Sequence, residues 1–241
     1  MISTLGKLAG IGSEIAAPTQ SSSLSFNANL PVSLEVVRQI DAMRYCLKLG
    51  RKELTTRSSR PLKEGQKYWA NFSEGKGGVL NISQLYRQPE LFEQTAYFLP
   101  FSHEEIFNAS LFGYTAFRSF LLEQLSDNAL SKELFKTYSY MLLSLSKAVI
   151  HIPFFHQQKR VLLQFQKHTK GSIRFYIAHE HLGPLSGEMS NSELLLHVCY
   201  EKSFYYLNKE SSKFGMITDL RIQKEIEPLF DLKNMALDIK G

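Results

Sequence analysis

Residues 159–200, KRVLLQFQKHTKGSIRFYIAHEHLGPLSGEMSNSELLLHVCY, carry the clearest strand pattern in the chain. Apolar residues recur there at every second position in three segments, which is the period of a half-buried strand. The alternating residues are Val161, Leu163 and Phe165, then Ile173, Phe175 and Ile177, then Leu194, Leu196, Val198 and Tyr200. Turns are expected at Lys170–Gly171 and through Leu182–Gly187. We therefore predict three antiparallel strands with one apolar face.

Two helical patterns precede these strands and could cover their apolar face. Ser102 to Glu105 fits a capping box, in which each side chain hydrogen-bonds the other residue's backbone amide. An apolar row at steps of three and four follows it, and a second row runs on towards Pro153. The rows are Phe107, Leu111, Tyr114, Phe117, Leu121 and Leu125, and Leu134, Tyr138, Met141, Leu142, Leu145 and Val149. Because the connection is short, we predict an antiparallel helical hairpin.

Flanking segments complete an α+β domain over residues 89–241. A short helix is expected between Pro89 and Pro100, and another around Phe204, Leu207 and Phe214. Residues 216–222 are a candidate fourth strand. The prediction is thus helices within residues 90–151, an antiparallel sheet of three to four strands and a helix within residues 159–222, and a C-terminal tail.

Residues 31–88 read as a separate small β-module. Short alternating segments are interrupted by Gly or Pro about every ten residues, a pattern typical of OB-like or SH3-like barrels. Leu34, Val36 and Arg38 fall on one side of the first strand by this alternation. Residues 1–30 are rich in small polar residues and are expected to form a flexible tail. The fold class predicted for the chain is α+β with an N-terminal barrel-like module.

Composition restricts the class of protein further. The chain has 241 residues, 44% of them hydrophobic, which is enough to bury a core. Its longest apolar run, residues 141–155, is interrupted by polar residues and is too short for a membrane helix. The N-terminus shows no signal-peptide pattern, and the two cysteines, Cys46 and Cys199, lie in strand-like runs typical of buried free thiols. We therefore expect a cytoplasmic protein.

The basic charge of the chain is concentrated in one segment. The net charge is +5, and residues 38–67 contain nine Lys or Arg against three acidic residues. Such a segment attracts phosphates, acidic proteins or anionic lipid surfaces. Aromatic residues are interleaved with it, as in barrels that bind single-stranded nucleic acid through backbone attraction and base stacking. The candidate binding residues are Arg44, Lys48, Arg51, Lys52, Arg57, Arg60, Lys63, Lys67, Tyr68 and Trp69.

No motif in the chain specifies a reaction. His179, His181 and His197 could in principle hold zinc, but the strand alternation places His197 on the other face. Ser186 is one position late for a nucleophile elbow, and residues 75–78 lack phosphate-loop spacing and read as a hairpin turn. We expect no catalytic residue, no metal and no cofactor, and hence a non-enzymatic protein.

The run IRFYIAHEHLGPLSGEMSNSELLLHVCYEK, residues 173–202, resembles the C-terminal domain of flagellar hook-length control proteins. In that family a strand, a Leu-Gly turn, two further strands and a helix follow one another, and Leu182 and Gly183 occupy the turn here. The N-terminal pieces Leu49-Gly50, Pro61-Leu62, Gly65-Gln66 and Leu80–Leu85 resemble a small β-module of the same family. The helix pair with its sheet is also similar in outline to a small flagellar protein that partners the flagellin export chaperone.

The resemblance implies a non-enzymatic flagellar assembly or export protein that binds a protein partner. It also implies, as the alternative to a cytoplasmic location, export of the chain by a flagellar secretion apparatus. The chain has no long Pro/Gln-rich spacer, so a length-measuring role is not expected. The alternative function is nucleic-acid binding through the basic module. The two interpretations use different parts of the chain.

Overall fold

The computed structural model describes residues 30–58, 60–74, 80–102, 113–168 and 171–232. The chain forms two compact units, which divide between Arg87 and Gln88. The tail expected over residues 1–30 lies almost wholly outside the described residues. So do the predicted turn at residues 75–78, most of the capping box, the start of the helix that follows it, and the end of the C-terminal tail.

The N-terminal unit is a five-stranded sheet. Its strands are β1 Val32–Gln39, β2 Arg44–Leu49, β3 Lys52–Arg57, β4 Lys67–Glu74 and β5 Leu80–Arg87. They lie in the order β3-β2-β1-β4-β5, and every neighbouring pair is antiparallel. Among the described residues β3 and β5 do not pair, so the sheet is open and the expected barrel closure is not found. Strand period and turn residues do not reveal closure, which depends on sheet curvature.

One face of this sheet carries the core of the unit. The strand residues that pack there alternate along the strands and include Leu34, Val36, Tyr45, Leu47, Leu49, Tyr68, Ala70 and Phe72. Leu62, from the connection between β3 and β4, packs against them. The alternation predicted for β1 holds as far as Val36 and then changes. A β-bulge shifts the register between Val36 and Arg38, so the chain that follows is displaced relative to β2.

The C-terminal unit contains a seven-stranded mixed sheet. Its strands are β6 Leu99–Ser102, β7 Ile150–His156, β8 Lys159–Lys167, β9 Ile173–His179, β10 Gly183–Met189, β11 Glu193–Val198 and β12 Ile217–Ile222. They lie in sequence order across the sheet. The pairs β6–β7 and β11–β12 are parallel, and the others are antiparallel. Three predicted strands are confirmed in β8, β9 and β11, and the candidate fourth in β12, but the predicted size and the purely antiparallel pairing are wrong.

Strand β7 replaces the end of a predicted helix. Residues 149–154 are all buried, so this short run is buried on both faces and takes the form of an interior strand. The preceding helix ends at Leu145, and Ala148 adopts a left-handed conformation with φ of 56° at the change of direction. Pro153 lies inside β7, where sequence reasoning placed a helix stop.

Strand β10 replaces a predicted turn. Sequence reasoning took residues 182–187 as one loop because Gly, Pro and Ser are common there. Only the beginning of this segment turns, at Gly183, where φ is +76°. Gly187 lies in the strand, and a Cβ added to it would approach the Leu195 carbonyl oxygen to 2.1 Å and the Phe175 ring to 2.6 Å. The small residues thus serve close packing within a sheet.

Helices cover one face of this sheet. The helices on that face are α2 Tyr114–Leu125, α3 Lys132–Leu145 and α4 Glu201–Glu210, whereas the short helix α1 Glu90–Glu93 lies on the opposite face, against Arg160 of β8. The predicted stripes of α2 and α3 are confirmed in part, since Phe117, Leu121, Tyr138, Met141 and Leu145 are buried together with the inner residues of β7 and β8. Tyr114 is exposed, Val149 lies beyond the end of α3, and Phe107 and Leu111 lie outside the described residues. Helix α4 packs with Phe204 and Leu207 over β10 and β11. Short 3-10 turns follow α1 at Thr95–Tyr97 and α4 at Ser211–Phe214.

The opposite face of this sheet is closed partly by the segment around Phe230. Gln164 on β8 accepts a hydrogen bond from the Phe230 backbone amide at 3.0 Å and donates to the Phe230 carbonyl at 2.7 Å. Its amide nitrogen also lies 3.1 Å from Nδ1 of His151, whose ring packs edge-on against Phe230. Leu91 and Val149 join Phe230 in a small apolar cluster. Buried polar contacts therefore fix the C-terminal segment to the sheet.

Candidate functional site

Strand β12 is an edge of the seven-stranded sheet, so one row of its backbone groups has no neighbouring strand among the described residues. The amide of Gln223 bonds to the Val198 carbonyl at 2.9 Å on the neighbouring strand. Because successive residues of a strand point their backbone groups to opposite sides, the outward groups belong to Thr218, Leu220 and Ile222. Such a row can pair with an added strand.

Helix α4 packs on this edge strand and carries two exposed aromatic residues. It packs on β11 and β12 through Phe204 and Leu207, and Leu220 of β12 belongs to the same cluster. Tyr205 is 70% exposed and Tyr206 is 51% exposed, on the part of the helix turned away from that cluster. Ile222, which pairs with Val198, lies on the sheet face that bears the helix and is 50% exposed. We call Thr218, Leu220, Ile222, Tyr205 and Tyr206 the edge surface.

The turn at Leu182 and Gly183, identified from the sequence, positions this helix. The Ser203 hydroxyl in the first turn of α4 donates to the Leu182 carbonyl at 2.8 Å. The ring of Tyr200, the residue that precedes α4, lies over Gly183 so closely that a Cβ there would be 2.6 Å from a ring carbon. The turn therefore fixes the start of α4 and, through it, the position of the exposed tyrosines.

The other edge strand of this unit is less suited to pairing. Strand β6 has only four residues, and Pro100 within it lacks an amide hydrogen. Short edge strands and proline both discourage the addition of another strand. The edge of this sheet that is long enough for pairing is therefore β12.

The structure separates the basic residues predicted to form one site. Arg44, Lys48, Arg51, Arg57, Arg60 and Lys63 are exposed, and Lys52 and Lys67 are half-buried. On the face opposite the core, Lys48 pairs in register with Glu35 on β1 and Glu53 on β3, and Glu35 also pairs with Lys67 on β4. Lysines and glutamates therefore alternate across four strands, and this row is electrically neutral.

The arginines are placed differently. Arg44 and Arg57 are directly opposite one another in β2 and β3, at the end of the sheet away from the neutral row. The bulge in β1 brings Arg38 opposite Cys46 on the same face. Cys46 lies 3.4 Å from a Glu53 carboxylate oxygen, and burial is the main cause that raises the pKa of this thiol. A raised pKa disfavours the thiolate, so Cys46 is not an activated nucleophile.

The two aromatic residues of the predicted site do not face a ligand. Tyr68 packs in the core, where its hydroxyl donates to Gln66 and accepts from the Lys63 amide, both at 3.4 Å. Trp69 is fully buried. Base stacking needs an accessible ring face. Because both rings are buried, the structure gives no support to the expected role of these rings in base stacking.

Of the three histidines considered for a zinc site, His179 and His181 lie side by side with ring centroids 6.3 Å apart, and His197 lies on β11. Nδ1 of His179 accepts hydrogen bonds from the backbone amides of His181 and Leu182, at 3.1 and 3.3 Å, which closes the turn before β10. Burial lowers the pKa of His179 to about 4 and also lowers the pKa of His181. His197 is paired with Ser186 and Arg221 on neighbouring strands. The described residues contain no cluster of three potential metal ligands.

Two features of these surfaces escaped sequence reasoning. Arg38 was assigned to the core side of β1 because the bulge has no clear sequence signal. The edge surface was missed because the pattern of residues 216–222 predicts a strand but not its place at the edge. A sequence signal for α4 did exist: the short amphipathic helix has two aromatic residues, Tyr205 and Tyr206, on its polar side.

Comparison with known proteins gives no match among family models, curated proteins or solved structures. Within the part of the chain that the structure describes, every helix is too short or too polar to cross a membrane.

Proposed function

We propose that the chain is a non-enzymatic protein-binding factor whose edge surface receives an extended segment of a partner protein as an additional β-strand. The observation that carries the proposal is the outward row of backbone groups at Thr218, Leu220 and Ile222, beside a helix with exposed tyrosines. Peptide recognition by strand addition uses these two components, main-chain hydrogen bonds for affinity and side-chain contacts for specificity.

The edge surface is suited to such a partner for two further reasons. Tyrosine buries a large area at low entropic cost and is enriched where proteins bind one another. The charges on β12 largely cancel, because Arg221 and Asp219 pair with each other at 2.5 Å. Recognition would therefore rest on apolar contact and backbone hydrogen bonds, and should depend only weakly on salt.

The class of partner follows from the resemblance of residues 173–202 to hook-length control proteins. It favours a component of the flagellar export apparatus or one of its chaperones. A deletion strain of the organism that encodes the chain is the test of this context. The flagellar assignment is wrong if the deletion strain swims normally and if the full chain captures no export component. That result would leave the edge surface available to another partner.

The surface itself is tested with a displayed library of short random peptides selected on the full chain. Thr218→Pro removes one outward amide without removing a hydrogen bond to β11, because proline is tolerated where a strand amide faces solvent. We expect this variant to fold and to lose most of the binding of selected peptides. Replacing both Tyr205 and Tyr206 by serine should also weaken binding, by about tenfold or more.

A matched control comes from another exposed aromatic residue. Phe135 on α3 is 50% exposed and lies outside the edge surface, so Phe135→Ser should leave peptide binding unchanged. The proposal fails if the selected peptides bind the Thr218→Pro and tyrosine variants as tightly as the wild-type chain.

A further inference from the structure

The turn between β1 and β2 exposes apolar side chains at its tip. Ile40 is 42% exposed and Met43 is 53% exposed, and with Val37 in β1 they are the exposed large apolar residues of the described N-terminal unit. Residues 40–43 are held in a defined turn, since the Asp41 carboxylate accepts the backbone amides of Met43 at 3.0 Å and Arg44 at 2.8 Å. We call residues 40–43 the hairpin tip.

Arginines surround this tip. Arg38 precedes it and Arg44 follows it, while Arg57 lies directly opposite Arg44 on β3. The strand pairing continues to Ser58, whose amide bonds to the Met43 carbonyl at 2.8 Å, and the Ser58 hydroxyl donates to the Arg60 carbonyl at 2.7 Å. We call Arg38, Arg44, Arg57 and Arg60 the basic collar.

Acidic groups offset only part of the charge of the collar. Asp41 pairs with Arg44 at 2.5 Å, and this pair is largely neutral. Glu64 accepts the Gln39 amide at 2.6 Å near the end of β1. The four arginines therefore keep a positive excess beside the tip, even though like charges directly opposite in a sheet, as Arg44 and Arg57 are, destabilise it. The repulsion between these opposed arginines destabilises the isolated chain. An anionic surface against them would offset that repulsion.

We infer that the hairpin tip and the basic collar form a site for peripheral attachment to an anionic lipid surface. Ile40 and Met43 would enter the interface between headgroups and acyl chains, and the arginines would bind headgroup phosphates or carboxylates. A nucleic acid is the less suitable polyanion, because Tyr68 and Trp69 are buried and offer no rings for base stacking. The site has no residue in common with the edge surface, so it extends the proposed function and does not depend on it.

The test is sedimentation of the full chain with vesicles of equimolar phosphatidylcholine and phosphatidylserine, with pure phosphatidylcholine vesicles for comparison. We expect binding to the anionic vesicles only. The double variant Arg38→Gln with Arg57→Gln should reduce the partition coefficient by about thirtyfold, since each charge near such a surface contributes about fivefold. The double variant Ile40→Ser with Met43→Ser should reduce it by about tenfold.

Two control variants distinguish this site from nonspecific apolar or electrostatic attachment. Phe135→Ser removes an equally exposed apolar side chain elsewhere and should leave vesicle binding unchanged. Lys48→Gln removes a positive charge from the neutral row and should reduce binding much less than loss of a collar arginine. Fluorescence of the single tryptophan, Trp69, verifies that the N-terminal unit of each variant is folded.

Three results would overturn the inference. One is absence of binding to anionic vesicles. Another is vesicle binding that is indifferent to the Ile40 and Met43 variant, which would reveal simple charge attraction to phosphate. The last is salt-sensitive binding of single-stranded oligothymidine that requires Arg38 and Arg57 while vesicles do not bind, which would identify a nucleic acid as the ligand.

Discussion

Acidification should destabilise the C-terminal unit through His151. This ring is buried, and burial lowers its pKa to about 3. The Gln164 amide nitrogen has two hydrogens, and one of them is donated to the Phe230 carbonyl. The other is therefore available to His151 Nδ1, which must accept it and so be unprotonated on that nitrogen. A charged ring would present a hydrogen to a donor and would lie in an apolar environment.

The magnitude follows from linkage. The folded-state pKa lies below the ordinary value of 6.5, so as the pH falls the unfolded chain binds the proton first. Stability is thus fully retained above the unfolded-state pKa and is lost progressively as the pH falls towards the folded-state pKa. Each pH unit in this window costs about 1.4 kcal/mol, which gives a loss of about 2 kcal/mol between about pH 7 and about pH 5.

Urea unfolding of the wild-type chain and of His151→Leu, followed by far-ultraviolet circular dichroism, measures this effect. The variant should be less stable near neutrality, because Gln164 loses a partner, but its stability should fall by about 2 kcal/mol less on acidification. The difference between the two proteins removes contributions from His179 and His181, which have the same sign. Trp69 fluorescence follows the other unit, whose transition the substitution should not move. Equal losses of stability in both proteins would refute the assignment of His151 as a neutral buried ring.

Three further substitutions test the packing of the same unit. Gly187→Ala should lower the free energy of unfolding in urea by about 3 kcal/mol or more, because the added methyl group would clash with the Leu195 carbonyl and the Phe175 ring. Gly215→Ala is the control: its φ is +67° but the space around it is open, so the loss should be about 1 kcal/mol. Equal losses would contradict the close approach at Gly187. Ser131→Ala removes the hydroxyl that accepts the Leu134 amide at the start of α3 and should cost about 1 kcal/mol, with Ser139→Ala on the same helix as control. Arg160→Met removes the hydrogen bonds that the guanidinium donates to the carbonyls of Phe92 and Glu93, at 3.0 and 3.3 Å. Amide hydrogen exchange of residues 90–94 should therefore accelerate. Unchanged exchange would show that other contacts hold α1.

Much of the C-terminal unit was predictable because its periodicity is local. Alternation at Val161 to Phe165 and at Ile173 to Ile177 gave β8 and β9, and steps of three and four gave α2 and α3. Apolar runs without alternation were misleading: residues 150–156 continue the apolar pattern of α3 but lie in the sheet. Sequence reasoning assigned Gly187 to a turn. In the structure its missing side chain leaves room for the ring of Phe175 on a neighbouring strand, which the local sequence does not show.

The candidate sites were less predictable than the fold. Composition correctly placed the basic residues in the N-terminal unit, but it could not reveal that Lys48 and Lys67 flank Glu35 in register. Nor could it reveal that a bulge turns Arg38 to the face of Cys46. These properties arise from pairing between distant segments. The edge position of β12 is likewise a property of the whole sheet.

Amide hydrogen exchange of β12, with and without a selected peptide, tests the central proposal most directly. If the peptide adds as a strand, the amides of Thr218, Leu220 and Ile222 should become protected, while those of Asp219 and Arg221, which point towards β11, should change little. Binding that leaves the three outward amides unprotected would contradict strand addition at this edge.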